Sequence, residues 1–243
     1  MLAISPTHRV FVLSGAGVSA ESGIPTFRGV RGLWRNYRIE EVASPHAWHR
    51  DPRLVWEFYS MRRKIAASAK PNPAHVALAK LEQKLQGHLF LCTQNVDDLH
   101  EQAGSRHVIH MHGDLFKSRC DSCSRPPFHD TSPYDPQAEL PRCECGGGIR
   151  PHICWFGEVP FELDRIFYAL DECTIFMAIG TSGWSSPQPV SSPMSVAGRG
   201  PFMSGRKSPR MPPRLRNVIW AKRARCCLTC SARCDPGKVL TGC

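Results

Sequence analysis

The 243-residue sequence has no run of eighteen apolar residues, which excludes a membrane-spanning helix built on continuous hydrophobicity. Its opening, MLAISPTHRV, lacks the basic start, long apolar stretch and small-residue cleavage site of a secretory signal. The expectation is a soluble, cytoplasmic protein with no membrane partner. Internal repeats are missing too, which excludes a solenoid or propeller. Acid is scarce at one end only. Residues 184–243 carry eleven Lys and Arg against Asp235 alone, whereas residues 1–183 balance at twenty basic and twenty acidic groups. The net charge of +10 therefore does not describe a uniformly basic nucleic-acid binder, and nucleic acid enters as a partner only if that tail is genuine. Nothing in the sequence fixes the oligomeric state.

What is present fits a globular chain, with 42% hydrophobic residues and twelve cysteines. Without an export signal, so many thiols point to metal binding or free cysteine rather than disulfides. Arg9–Leu13 is a short β-branched and aromatic run that ends in SGAGVSAESGIP, the pattern of a buried strand feeding a glycine turn and then a helix. Asp51–Ala69 places Leu54, Val55, Phe58, Met61 and Ile65 at the spacing of an amphipathic helix, and Asn72–Leu85 does the same with Ala74, Leu78, Leu81 and Leu85. His88–Thr93, Val108–Met111 and Thr174–Ile179 read as further strands, and Phe161–Leu170 as a helix. Strands alternating with helices predict an α/β fold: a Rossmann-like open parallel sheet with helices on both faces. A helical module occupies about 30–87. From about 115 to 153 cysteine, proline and charge replace periodicity, which predicts a small zinc-binding insert.

Gly15-Ala16-Gly17-Val18-Ser19-Ala20 fits G-x-G-x-x-G/A after a strand, a turn that lets backbone approach a pyrophosphate closely. On its own the match is weak. The acidic residue expected about twenty positions on would be Glu40 or Glu41, yet neither ends an evident strand, which counts against an ordinary dehydrogenase. Cys120-x-x-Cys123 and Cys143-x-Cys145-Gly-Gly form two thiolate pairs with the layout of a closed, structural four-cysteine site for one zinc ion. Cys92, Cys154 and Cys173 lie in apolar runs and read as small core residues.

Taken together, GAGVSAESGIPTFRG (Gly15–Gly29), TQNVD (Thr93–Asp97), HMHG (His110–Gly113), the two cysteine pairs, WFGE (Trp155–Glu158) and GTS (Gly180–Ser182) resemble the sirtuin family in order and content, over residues 9–183. The resemblance implies removal of acyl groups from protein lysines, with NAD as co-substrate and acylated-lysine proteins or peptides as partners; nicotinamide, free lysine and O-acyl-ADP-ribose would be the products. It implies that the acyl oxygen attacks the ribose carbon as nicotinamide leaves, and that His112 then removes a ribose hydroxyl proton, a task suited to an imidazole. Asn95 and Asp97 join His112 in the catalytic set. Gly15, Ala16, Gly17, Ser19, Ala20, Phe27, Arg28, Gln94, Asn95, Val96, Asp97, Gly180, Thr181 and Ser182 are implied to meet the cofactor, with Phe27 and Arg28 on a closing loop. Trp155, Phe156, Gly157 and Glu158 are implied to form an extended edge that pairs with the substrate backbone. Tyr59 and Arg62, three apart on one helix face, resemble the branch of the family that removes succinyl, malonyl and similar acidic groups, since a guanidinium and a phenol can together hold a carboxylate. The alternative for this pair is an ordinary surface position, since Arg63 and Lys64 make the helix basic in any case.

Beyond Gly183 the resemblance stops. The family's apolar continuation is replaced by a Pro-, Arg- and Cys-rich tail, 184–243, and a one-base change of reading frame permits an apolar run of the expected kind there. Two readings stand for the tail: a frameshift product, disordered or non-native, or a genuine basic segment able to bind nucleic acid or a second metal through Cys226, Cys227, Cys230 and Cys234. As a frameshift product it would leave the sheet with an unpaired edge. The alternatives to a deacylase are a catalytically impaired zinc-containing binding protein, on the strength of the tail, and a nicotinamide oxidoreductase, on the glycine turn alone.

Overall fold

The structure, a computed structural model, describes residues 4–26, 37–132, 134–135 and 138–181, together with the backbone of 33–34 and 217–221. Its central element is a five-stranded sheet in the order β10-β9-β1-β4-β5, formed by β1 (Val10–Ser14), β4 (Leu89–Thr93), β5 (Val108–His110), β9 (Ile175–Ile179) and β10 (Asn217–Ala221). Every neighbouring pair is parallel. β1 alternates its side chains between two cores, as a strand covered on both faces must. Val10 and Val12 pack with Leu89, Leu91, Ile175 and Met177 under Ala74, Leu78 and Leu85 of helix α5 (Pro73–Leu85). Phe11 and Leu13 pack on the other face with Cys92, Ile109, Phe176 and Ala178 against Ile166 of α7 (Leu163–Glu172). The expected α/β sheet with helices on both faces is therefore observed.

The chain order runs outward from β1 to β4 and β5 on one side and to β9 and β10 on the other. The strand order thus reverses at β1, which puts the topological switch point at the carboxyl ends of β1 and β9, the usual ligand position in such sheets.

The helical module comprises α2 (Ile39–Val42), α3 (Pro45–Arg50) and α4 (Pro52–Ser68), after the short α1 (Ala16–Ala20) and the hairpin β2 (Leu33–Trp34) with β3 (Tyr37–Arg38). Asp51 accepts the Leu54 amide and Asn72 the Ala74 amide, and each of these residues caps a helix that begins with proline, Pro52 and Pro73. Glu41 lies in α2 and accepts the Arg38 backbone N–H; neither it nor Glu40 ends a sheet strand.

Between α6 (Leu99–Gln102) and α7, strands β6 (Gly113–Cys120), β7 (Phe128–His129) and β8 (Ile149–Ile153) make an antiparallel sheet in the order β7-β6-β8. The module docks on the helices through Val42, Trp48, Val55, Trp56, Phe58, Tyr59, Leu115, Ile149 and Trp155, a single buried cluster. Arg63 is the polar centre of this joint. It is 4% exposed and its guanidinium donates to the Leu115, Lys117 and Ser132 carbonyls, Ser118 Oγ and Asp130. Here α4 turns a basic residue into the module rather than to water.

Outside 217–221 the tail lies beyond the described residues. Those five form a strand in parallel register with β9, Val218 opposite Phe176 and Ile219 opposite Met177.

Candidate active site and zinc centre

At this switch point, the glycine turn after β1 and the turn after β9 touch backbone to backbone. Gly17 N–H donates to the Gly180 carbonyl at 2.8 Å. Gly180 has φ +64, and a Cβ there would come within 2.4 Å of Val18 N, so only glycine allows the approach. Gln94 bridges the same turns: Thr181 Oγ1 donates to its Oε1 at 2.9 Å, and its backbone N–H reaches the Ser14 carbonyl.

Asn95, Asp97 and Ser19 form a buried triad. Asn95 Nδ2 donates to Ser19 Oγ at 2.8 Å and to the Gly15 carbonyl at 3.2 Å, and the Ser19 hydroxyl hydrogen-bonds the Asp97 carboxylate. Burial pushes the Asp97 carboxyl up, and the bonds from Ser19 and the Leu99 amide only partly offset this. Val96 has a different environment, 7% exposed in the cluster around Trp155 and Tyr59, and Ala20 is exposed at the end of α1. Phe27, Arg28 and Ser182 lie outside the described residues.

The two histidines of HMHG differ in their hydrogen bonds. His110 Nδ1 meets the Asn95 carbonyl at 3.1 Å and Nε2 meets Glu101 Oε1 at 2.7 Å. Both partners are acceptors, so both ring nitrogens donate. Burial pulls this group down, but Glu101, Asp114 and the Asn95 carbonyl together outweigh burial and raise it, leaving a ring committed to structure. His112 is half-buried, and its Nδ1 lies 3.0 Å from the Gln94 carbonyl. A carbonyl can only accept, so Nδ1 carries the proton and Nε2 has the lone pair that can take one.

Tyr59 lies 1% exposed. Burial pushes its phenol up to about 12, with Arg62, the Trp155 bond and Arg150 acting in the opposite direction. Trp155 Nε1 donates to the Tyr59 hydroxyl at 3.0 Å. The Arg62 guanidinium carbon stands 5.8 Å from the Tyr59 ring centre and 5.7 Å from that of Phe58. Desolvation lowers this guanidinium, while Tyr59 and Asp97 favour its charged form.

The extended edge expected at Trp155–Glu158 is not observed. Phe156 and Gly157 form a turn in which Glu158 N–H donates to the Trp155 carbonyl and Gly157 has φ +91. The Glu158 carboxylate faces inward, accepting from Arg150 at 2.7 and 3.0 Å, from Arg119 at 3.3 Å and from the Trp155 amide at 2.8 Å. This carboxylate draws the segment back on itself. Phe156 remains 55% exposed.

The four cysteines of the insert converge from the end of β6 and the turn before β8. Their sulfurs all lie within 4.8 Å of one another, with Cys120 to Cys145 at 3.5 Å and Cys123 to Cys143 at 3.8 Å. Four zinc–thiolate bonds of about 2.3 Å in a tetrahedron require sulfurs about 3.8 Å apart. The Ser122 and Cys123 amides both point at Cys120 Sγ, as in a zinc knuckle. The set fits one zinc ion, and with four thiolates no position is left open for chemistry. Cys92 and Cys173 are buried, as expected of core thiols, and Cys154 is partly buried.

The sequence profile of the Sir2 family matches residues 15–187. The chain belongs to the Sir2, or sirtuin, family. It is 53% identical over 178 residues to an NAD-dependent protein deacylase of Caulobacter vibrioides, covering 72% of this chain and 74% of that one. The structure of a Sir2 homologue with NAD superimposes with a TM-score of 0.66 at 47% identity, covering 73% of this sirtuin and 70% of the homologue. A Sir2 solved with a deacetylated p53 peptide and 3′-O-acetyl ADP ribose matches with a TM-score of 0.60 at 31% identity over 71% of both chains. Sirtuins use NAD as a co-substrate. Among the described residues, no helix is long and apolar enough to cross a membrane. Sequence reasoning missed Ser19 as the partner of Asp97 and Glu101 as the lock on His110; no spacing rule signals either, because both contacts cross elements.

Proposed function

We propose that this sirtuin is an NAD-dependent protein-lysine deacylase whose acyl pocket favours succinyl and malonyl groups. The deacylase activity follows from the family and from the deacylase relative at 53% identity. The acidic preference rests on one observation: Tyr59 and Arg62 lie side by side on α4, against Trp155 and within the field of Asp97. A half-buried guanidinium beside a phenolic hydroxyl suits a carboxylate at the end of an acyl chain, whereas an acetyl methyl offers neither group a partner.

In the reaction the switch point at Gly15, Gly17 and Gly180 admits the dinucleotide, and Gln94, Asn95 and Asp97 orient its nicotinamide ribose. As nicotinamide leaves, the acyl oxygen bonds to the ribose carbon. Nε2 of His112 then takes a proton from a ribose hydroxyl, its ring held by the Gln94 carbonyl.

Incubation with NAD and a succinyl-lysine peptide tests this directly. Nicotinamide should appear in step with deacylation and no reduced cofactor should form. Arg62→Met should cut kcat/KM on succinyl-lysine at least about tenfold more than on acetyl-lysine, the scale of a lost charge-assisted hydrogen bond. An equal loss on both peptides would remove the acidic-acyl assignment.

A further inference from the structure

Among the described residues, two groups hydrogen-bond the Tyr59 hydroxyl, and neither can accept a hydrogen bond from it. Trp155 presents an indole N–H, a donor only, at 3.0 Å. Arg62, whose guanidinium hydrogen-bonds the same hydroxyl, has five N–H groups and no acceptor. A phenolic oxygen carries one hydrogen and two lone pairs. With both lone pairs facing donors, its hydrogen must point elsewhere.

Trp155 is itself held from three sides. Its backbone N–H donates to Glu158 at 2.8 Å. The same carboxylate grips Arg150 through two bonds of 2.7 and 3.0 Å, and the Arg150 guanidinium lies flat on the indole, 3.2 Å from the ring centre. Trp48 closes the remaining side at 5.9 Å. A cation on the face of an indole draws electron density from the ring and strengthens its N–H as a donor. Glu158, Arg150, Trp155 and Tyr59 thus form one chain of contacts that ends on the phenol.

We infer that Trp155 is a specificity-positioning residue: by donating to Tyr59 it turns the phenolic hydrogen toward the acyl group and makes Tyr59 an obligate donor there. The proposal rests on the acidic-acyl reading for its consequence, since an acyl carboxylate accepts this hydrogen and a methyl group does not. Discrimination then has two sources: a bond gained by succinyl or malonyl, and a buried donor left without an acceptor when acetyl enters.

The test replaces Trp155 in the full chain by phenylalanine and, through a non-natural amino acid, by β-(3-benzothienyl)alanine, which keeps the indole shape and exchanges N–H for sulfur. The second replacement serves if Trp155→Phe does not fold. With either, the succinyl-to-acetyl ratio of kcat/KM should fall by about tenfold, the worth of one buried hydrogen bond. In a Tyr59→Phe background the same replacement should leave that ratio unmoved, because the hydroxyl it positions is gone. A ratio unchanged in the Tyr59 protein, or an undiminished effect in the Tyr59→Phe background, overturns the proposal. A readout independent of acyl preference separates it from the parent reading. With tyrosine labelled at Cζ by carbon-13, the Tyr59 resonance, identified by its loss in Tyr59→Phe, should move on replacement of Trp155. If it moves while wild-type protein shows no succinyl preference, the acidic-acyl reading has failed and the contact stands; if it does not move, the positioning role is wrong.

Discussion

Ser14 and His100, 86 residues apart in sequence, meet in the core with 2.9 Å between Ser14 Oγ and His100 Nε2. Ser14 is the last residue of β1, so this bond reaches the point where the glycine turn begins. His100 also stacks edge-on against His75, 4.8 Å between ring centres, and His75 Nδ1 accepts the Asn72 N–H at 3.3 Å. Asn72 in turn donates to the Val18 carbonyl at 2.7 Å. A buried polar chain thereby ties the start of α5 to both sides of the glycine turn after β1.

Acid should break this chain. Burial depresses His75 to about 4, and burial together with His75 and His110 depresses His100 to about 3. Unfolded histidine titrates near 6.5, so from about 6.5 down to those values the unfolded chain holds more protons than the folded one. Stability therefore rises with pH across that window, by up to about 1.4 kcal/mol per pH unit for each ring, and levels off above it. Urea midpoints measured between about pH 5 and about pH 7 should show the slope, and His75→Gln with His100→Gln should flatten it. An equally steep profile in the double variant would assign the slope to other groups.

Much of this was legible in sequence because the signals were local. Asp51 and Asn72 before Pro52 and Pro73 mark helix starts within a single turn, and the alternation of Val10 to Leu13 marks a strand covered on two faces. The cysteine pairs carry their own spacing. The missed features depend on distant partners. Arg63 looks like any basic helix residue until β6 supplies the Leu115 and Lys117 carbonyls. Trp155–Glu158 reads as extended until Arg150 and Arg119 pull Glu158 inward. Strand β6 is not legible in the sequence, because its burial alternates irregularly across Gly113–Cys120, broken by the register shift between Gly113 and Ser118.

Arg63 offers a sharp test of how the two modules are joined. Its bond to Asp130 is partly buried, with side-chain exposures of 5% and 14%, and Ser118 Oγ donates to the same carboxylate at 2.5 Å. Arg63→Ala removes the cationic partner of Asp130 and, at once, the donor to Ser118 Oγ and to three carbonyls. The expected loss is about 3–5 kcal/mol of unfolding free energy, read from denaturant titration. A loss below about 1 kcal/mol, typical of a surface pair, would mean that the joint does not depend on this residue.

Zinc should be structural and stoichiometric. Elemental analysis should find one zinc per chain, and Cys143→Ser should lower both metal content and melting temperature, the latter by more than about 10 °C, because binding of a structural zinc carries a large share of folding free energy. The same measurement addresses the tail: two zinc ions per chain, with the second lost in Cys227→Ser, would show that the tail binds metal.

The roles of His110 and His112 are separable by substitution. Nδ1 of His112 is committed to the Gln94 carbonyl, so under the proposed mechanism Nε2 is the atom that accepts the proton. His112→Asn should lower the rate of O-acyl-ADP-ribose formation by about 10²- to 10⁴-fold, the usual worth of a positioned base. In the proposed mechanism the proton is taken after nicotinamide has left, so exchange of labelled nicotinamide into NAD should survive better than product formation. His110→Asn should behave differently, breaking the bonds to Glu101 and the Asn95 carbonyl and therefore lowering stability along with both rates. Equal loss of exchange and product formation in His112→Asn, with the fold intact by circular dichroism, would move the role of His112 to the earlier step.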